Sequence, residues 1–86
     1  MQAGANPGIS VYPNPAVNTM HISVHDNSQD SKLAVLDIRG RIVADFSGQR
    51  LDKTVAWNTS GLRAGLYFIR LTAGGRYYVE RAFLVK

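Results

Sequence analysis

The sequence predicts an all-β domain, a sandwich of about seven short antiparallel strands with almost no helix. Apolar and polar residues alternate at a period of two in several short stretches, as they do in strands with one buried face. Glycine, proline, asparagine and aspartate form turn signals about every 8 to 12 residues. No segment keeps the helical spacing of apolar residues over several turns.

The size of the chain limits how its fold can be stabilised. It has 86 residues, enough for one compact domain, and a domain of this size buries only about 60 to 65% of the surface of its unfolded chain. Because there is no cysteine, burial must supply most of the stability without disulfides or thiolate metal sites. No apolar run of about 18 residues and no signal peptide is present. We therefore expect a domain that does not span a membrane. Either it is cytoplasmic or, as we favour, it was cut from a longer precursor whose targeting signal lies upstream.

The first strand is expected to follow a linker. Residues 1–8 are small and polar, and they read as a flexible linker that includes residues added for expression. Ile9 and Val11 alternate with polar positions, and this strand must end before Pro13 and Pro15, which fix φ and lack amide donors.

A second strand and a hairpin follow. Residues 20–25 alternate between apolar and polar side chains, which predicts one buried face. After a polar loop, residues 33–38 and 42–46 flank Arg39 and Gly40 at the spacing of a two-residue hairpin. Gly40 would supply the positive φ that a primed turn requires.

The second half of the chain repeats this pattern. A strand around Trp57 is expected to place the largest core side chain, and Gly65 precedes another strand at residues 66–71. Gly74 and Gly75 then predict a second two-residue hairpin.

The last predicted strand, residues 76–85, has an unusual mixture on one face. Tyr77, Val79, Phe83 and Val85 share that face with Arg81. A β-bulge, or a position at the edge of a sheet, would reconcile the charge with the apolar residues.

One tyrosine points to the type of sandwich. Tyr67 follows a bend made by Leu62 and Gly65, a pattern that resembles the tyrosine corner of immunoglobulin-like sandwiches. We therefore predict an immunoglobulin-like sandwich in which the Tyr67 hydroxyl hydrogen-bonds to nearby backbone.

Neither catalysis nor metal binding is expected. His21 and His25 would lie about 13 Å apart on one strand, too far to share a zinc ion. Residues 26–30 have the alternate acidic spacing of a calcium loop, but Ser31 stands where that loop needs glycine. No paired carboxylates and no activated nucleophile are evident. The sequence thus predicts a non-enzyme without cofactor or metal.

Positive charge is concentrated in the last third of the chain. Up to Leu62 five basic residues balance five acidic ones, whereas five later basic residues face only Glu80. This asymmetry can steer an anionic partner, but it is too sparse to indicate nucleic acid. The nearby aromatic residues could form a stacking surface for sugars, although alternation places about half of them in the core.

Four segments together resemble one known family. They are residues 11–15 with Asn18, residues 37–41, residues 62–67 and the tail at residues 81–86. In this order and spacing, they resemble the type A C-terminal sorting domain of the type IX (Por) secretion system. The resemblance covers residues 9–86, which we take as the sorting domain.

The resemblance implies a route of export in a Gram-negative bacterium. A larger cargo protein would carry this domain at its end and cross the inner membrane by an N-terminal signal. The outer-membrane translocon would then recognise the domain in the periplasm. At the cell surface a sortase-like cysteine peptidase would remove it, within residues 2–8, and commonly link the secreted cargo to an anionic lipopolysaccharide.

The resemblance also implies which positions define the fold or bind the partner. They are Pro13, Asn14, Pro15, Asn18, Asp37, Gly40, Arg41, Gly65, Tyr67, Arg81, Phe83, Val85 and Lys86. We hypothesise that the last strand offers its edge for strand addition, a mode in which main-chain groups supply affinity. Phe83 and Val85 would then anchor the tail, while Arg81 and Lys86 orient it on an acidic receptor groove.

Three other interpretations stay open from the sequence. The sandwich could be a carbohydrate-binding or adhesive accessory module, which would persist uncut and expose an aromatic platform. It could be a passive immunoglobulin-like spacer, for which a final position in the precursor is unusual. An exposed strand edge could also pair with a second copy to form a dimer.

Overall fold

The computed structural model describes residues 8–24, 31–46 and 54–85, and these form an all-β fold with no helix. Seven strands follow one another in the chain. They are β1 (Ile9–Tyr12), β2 (Thr19–Val24), β3 (Lys32–Leu36), β4 (Ile42–Asp45), β5 (Thr54–Asn58), β6 (Gly65–Ala73) and β7 (Arg76–Leu84). The part of the chain that the structure describes therefore includes no helix that could span a membrane.

The strands form two antiparallel sheets that enclose one core. One sheet has the order β1-β2-β5 and the other has the order β4-β3-β6-β7. Buried side chains of both sheets belong to a single apolar cluster. An immunoglobulin-like sandwich likewise has its first, second and fifth strands in one sheet and its third, sixth and seventh strands in the other. Here β4 joins the sheet of β3. The predicted fold class is confirmed.

The alternation seen in the sequence accounts for the core. In β2, Met20 and Ile22 are fully buried while the residues between them are half-exposed. Trp57 is also buried, and its ring meets that of Tyr67 edge to face, with centroids 5.9 Å apart and an interplanar angle of 76°. Such a pair contributes about 0.5 to 1.5 kcal/mol beyond the burial of its surface. Trp57 is the core anchor that the sequence predicted.

The first hairpin differs from the prediction. β3 ends at Leu36, and the turn is closed by two bonds, from the Gly40 amide to the Asp37 carbonyl (3.0 Å) and from the Asp37 amide to the Arg41 carbonyl (2.9 Å). Only Gly40 has a positive φ, 86°, and Arg39 does not. The prediction of a two-residue primed turn was wrong, because a three-residue loop that ends in a left-handed glycine spares Arg39 that conformation.

The second hairpin and the last strand follow the sequence more closely. Gly74 and Gly75 have φ of 56° and 78° between the paired residues Ala73 and Arg76, as a two-residue primed turn requires. The pairing of β6 with β7 then continues without a register shift. The predicted bulge near Arg81 is therefore wrong, and the alternative is right, since β7 lies at the edge of its sheet.

Candidate recognition site

The Asn14 side chain joins the two ends of the domain. Its Nδ2 donates a hydrogen bond to the Arg81 carbonyl at 3.1 Å, and its Oδ1 accepts one from the Phe83 amide at 2.9 Å. These are the two main-chain groups that a neighbouring strand would bond on this edge of β7. The side-chain amide thus substitutes for a strand residue.

The neighbouring Ala16 extends this contact along β7. Its amide donates to the Phe83 carbonyl at 2.9 Å, and its carbonyl accepts from the Val85 amide at 2.9 Å. Ala16 is fully buried and forms a parallel bridge with Leu84. Asn14 and Ala16 together cover the outer edge of β7 from Arg81 to Val85, and we call these contacts the terminal clamp.

The two prolines suit the terminal clamp because they have no amide to satisfy. Pro13 and Pro15 are exposed, both follow cis peptide bonds, and they alternate with the two residues that bond to β7. The clamp also alters the hypothesis of strand addition. In this structure the edge groups of Arg81, Phe83 and Val85 are paired already, so an added strand would have to displace the first motif.

Asn18 contributes through its main chain. Its carbonyl accepts the Thr59 amide at 2.7 Å, and the Val17 carbonyl accepts the Thr59 hydroxyl at 3.4 Å. Thr59 is fully buried, and its carbonyl in turn accepts the Leu62 amide at 3.1 Å. Sequence reasoning missed Thr59, although its place within the turn signal of residues 58–61 could have drawn attention to it.

The Asp37 carboxylate organises the first hairpin. Its Oδ1 accepts the amides of Arg39 (2.9 Å) and Arg41 (3.0 Å), and its Oδ2 lies 3.5 Å from the Arg41 Nε. The Arg41 amide bond is the largest cause that lowers the pKa of Asp37, helped by the Arg39 amide and the Arg41 charge, while burial acts in the opposite direction. These contacts give Asp37, Gly40 and Arg41 a role in shaping the turn.

The third motif supports β7 from its other side. Gly65 pairs with Leu84, and its φ of 146° lies where only glycine is comfortable. Tyr67 pairs with Ala82, and its hydroxyl donates to the Arg63 carbonyl at 2.8 Å. The predicted tyrosine corner is confirmed, and the third motif holds the same end of β7 that the terminal clamp covers.

The predicted tail residues remain accessible beside the terminal clamp. Arg81 is exposed, and Phe83 and Val85 keep 43% and 41% of their surface exposed. Their main-chain groups are held while their side chains face outward. Lys86 lies outside the described residues.

Among the residues that the structure describes, no group of three or more histidines and acidic residues could hold a metal ion. His25 of the histidine pair and residues 26–30 of the possible calcium loop lie outside the described residues. His21 stacks on Tyr12 with ring centroids 5.2 Å apart.

Comparison with known protein families identifies a match over most of the chain. The family model described as the secretion system C-terminal sorting domain matches residues 10–86. No curated protein matches the chain significantly.

Proposed function

The chain belongs to the family of secretion system C-terminal sorting domains, and from this membership we propose that it is recognised in the periplasm by the outer-membrane translocon of the type IX system. The family is one of export signals, not of catalysts, and its role implies a cargo in the same precursor, secretion machinery, and export to the cell surface or beyond.

The terminal clamp is the observation that supports recognition of a folded surface. Asn14 and Arg81 are far apart in the chain, yet the clamp places the proline motif directly on the tail strand. A receptor that touches this region meets both motifs at once. The signal is therefore the assembled surface, and a tail peptide alone would lack half of it.

Within this surface we assign different roles to the side chains. Phe83 and Val85 anchor the tail through their exposed apolar surface, while Arg81 and Lys86 orient it on acidic groups of the receptor. Pro13 and Pro15 present a rigid corner beside them. Asn14, Gly65 and Tyr67 hold the tail strand in place.

We further propose that a sortase-like peptidase removes the domain by cutting before Gly8. Gly8 is buried against the Tyr78 ring, and a Cβ added there would lie 2.5 Å from that ring. Peptidases need accessible, extended backbone, which this position does not offer. Residues 1–8 would thus include the cut linker, and residues 9–86 the sorting domain.

The test uses a reporter fused ahead of the full chain in a bacterium with a type IX system. The intact fusion should reach the cell surface or the medium, and deletion of residues 83–86 should leave it in the periplasm. The matched control is Ser23→Ala, on the outer face of the opposite sheet, which should be exported normally. Periplasmic retention of the intact fusion, or normal delivery of the deletion, would contradict the proposed function.

A further inference from the structure

The two outer faces of the sandwich differ in chemistry. An antiparallel sheet usually packs one face on the core and presents a polar face to water. The β1-β2-β5 sheet follows this rule. Apart from the stacked rings of Tyr12 and His21, its outward residues include Ser10, Thr19, Ser23 and Thr54. It serves as an internal reference for the second sheet.

The outer face of the β4-β3-β6-β7 sheet departs from this rule. Leu33, Val35, Ile69 and Leu71 occupy the core, so the residues between them point outward. The outward residues that form what we call the apolar face are Leu36, Ile42, Phe68, Tyr77, Val79 and Phe83. Tyr77 is 65% exposed and Ile42 is 54% exposed.

Strand register makes the apolar face continuous. Ile42 pairs with Leu36, Leu36 with Phe68, and Phe68 with Arg81, which gives a row across all four strands. With neighbouring strands about 4.8 Å apart, this row spans roughly 15 Å. Contiguous exposed apolar surface of this kind marks a site of interaction.

Charge on the apolar face indicates the kind of partner. Among the residues that the structure describes, Lys32, Arg70 and Arg81 point outward there, together with one carboxylate, Asp45. Arg70 lies half-buried within the face, between Ala34 and Val79. Two copies placed face to face would bring like charges together, which disfavours a second copy as the occupant. A complementary partner carries carboxylates around an apolar centre.

We propose that the apolar face docks an acidic, apolar-centred surface of a protein of the export apparatus, with carboxylates opposite Arg70 and Arg81. The inference rests on the proposed function. It differs from strand addition, because the terminal clamp already pairs the edge of β7 from Arg81 to Val85. Planar guanidinium groups at fixed positions select a structured partner whose carboxylates match them.

Site-specific photo-crosslinking tests the docking. The full chain, fused behind the exported reporter, carries p-benzoylphenylalanine at Val79 on the apolar face or at Thr54 on the opposite sheet. Irradiation of cells should link Val79, and not Thr54, to one protein of the apparatus. The yield should fall at least about tenfold in an Arg70→Glu, Arg81→Glu variant. Lysine at the facing acidic residue of that protein should restore it.

The control variant is Arg39→Glu, Arg63→Glu, which changes net charge equally at exposed arginines in loops, outside the strands that carry the apolar face. It should crosslink like the parent chain, and circular dichroism should show both variants folded. Equal adducts at Val79 and Thr54, a dimer of the chain, a lipid adduct, or indifference to the arginines would each overturn the docking.

The outcome separates the two proposals. An exported parent fusion without a Val79 adduct rejects the docking and leaves the sorting function standing. A parent fusion that is not exported rejects the sorting function, and the docking falls with it.

Discussion

At the scale of single residues, polar side chains in this domain bond main-chain groups that no neighbouring strand pairs. Asn14 bonds the edge of β7, Asp37 bonds two amides of its own hairpin, and Tyr67 bonds the Arg63 carbonyl. In each case the side chain holds a segment of the chain that has no strand pairing of its own. Removal of one side chain should therefore release a defined piece of backbone.

Asn14→Ala should weaken the terminal clamp. The change removes two hydrogen bonds to β7, and we expect the free energy of unfolding to fall by about 1 to 2 kcal/mol. Urea unfolding measures the loss, and hydrogen exchange should show faster exchange of the Phe83 amide. Asn18→Ala is the matched control, since its side chain is exposed and its bond to Thr59 uses the carbonyl, so its effect should stay within about 0.5 kcal/mol. Equal losses in both variants would contradict the clamp.

Asp37 should make the first hairpin sensitive to acid. Since its pKa is lowered below the usual 3.8, its contribution is present at neutral pH and is lost as the pH falls from about 3.8 through the lowered value. Asp37→Asn keeps an oxygen acceptor without the charge, so the stability advantage of the parent chain over this variant should shrink in acid. Unfolding measured between neutral pH and pH 2 checks this. An advantage that is constant or grows as the pH falls would refute the role of the carboxylate.

At the scale of elements, the end of β7 is held on both sides. β6 supports its inner edge through the pairs from Gly65 to Tyr67, and the terminal clamp covers its outer edge. The tail is thereby presented as a rigid strand with alternating exposed side chains. This explains how an edge strand with exposed apolar residues avoids uncontrolled pairing with other chains.

Gly65→Ala tests whether the start of β6 requires glycine. No atom lies within 4 Å of an added Cβ, so the cost comes from the φ of 146° alone, and we expect about 1 to 3 kcal/mol. Gly61→Ala is the control, because it also has open space and its φ is not positive. Thermal unfolding of the two variants gives the comparison. Similar stability would show that backbone conformation at Gly65 is not limiting.

At the scale of the whole molecule, both sheets depend on one core and on contacts between distant parts of the chain. The apolar cluster draws on six strands of both sheets, with the half-buried Val43 of β4 beside it, and the terminal clamp ties the segment after the first strand to the last strand. Such a domain should unfold in a single step, since neither sheet can keep its buried face without the other.

Trp57 provides a probe for this cooperativity, because it is the single tryptophan of the chain and lies in the core. Its fluorescence and the far-UV circular dichroism should report the same urea midpoint. Asn14→Ala should lower both midpoints together. Separate midpoints would show that one sheet persists without the other.

The sequence by itself determined the strands, the second hairpin and the tyrosine corner. Alternation, paired glycines and the bend before Tyr67 each act within a few residues, so a local sequence pattern is enough to predict the structure they form. The first hairpin was misjudged by one residue because a left-handed Gly40 suits either a two-residue or a three-residue loop.

Only the tertiary structure decided what happens at the ends of the chain. The motif around Asn14 was recognised as important, but its partner is the main chain at Arg81 and Phe83, which no local pattern specifies. Likewise, the alternation of residues in β7 predicts two faces but does not indicate which of them packs on the core. Those choices depend on the order of strands in the sheets, and that order is set by burial of the whole molecule at once.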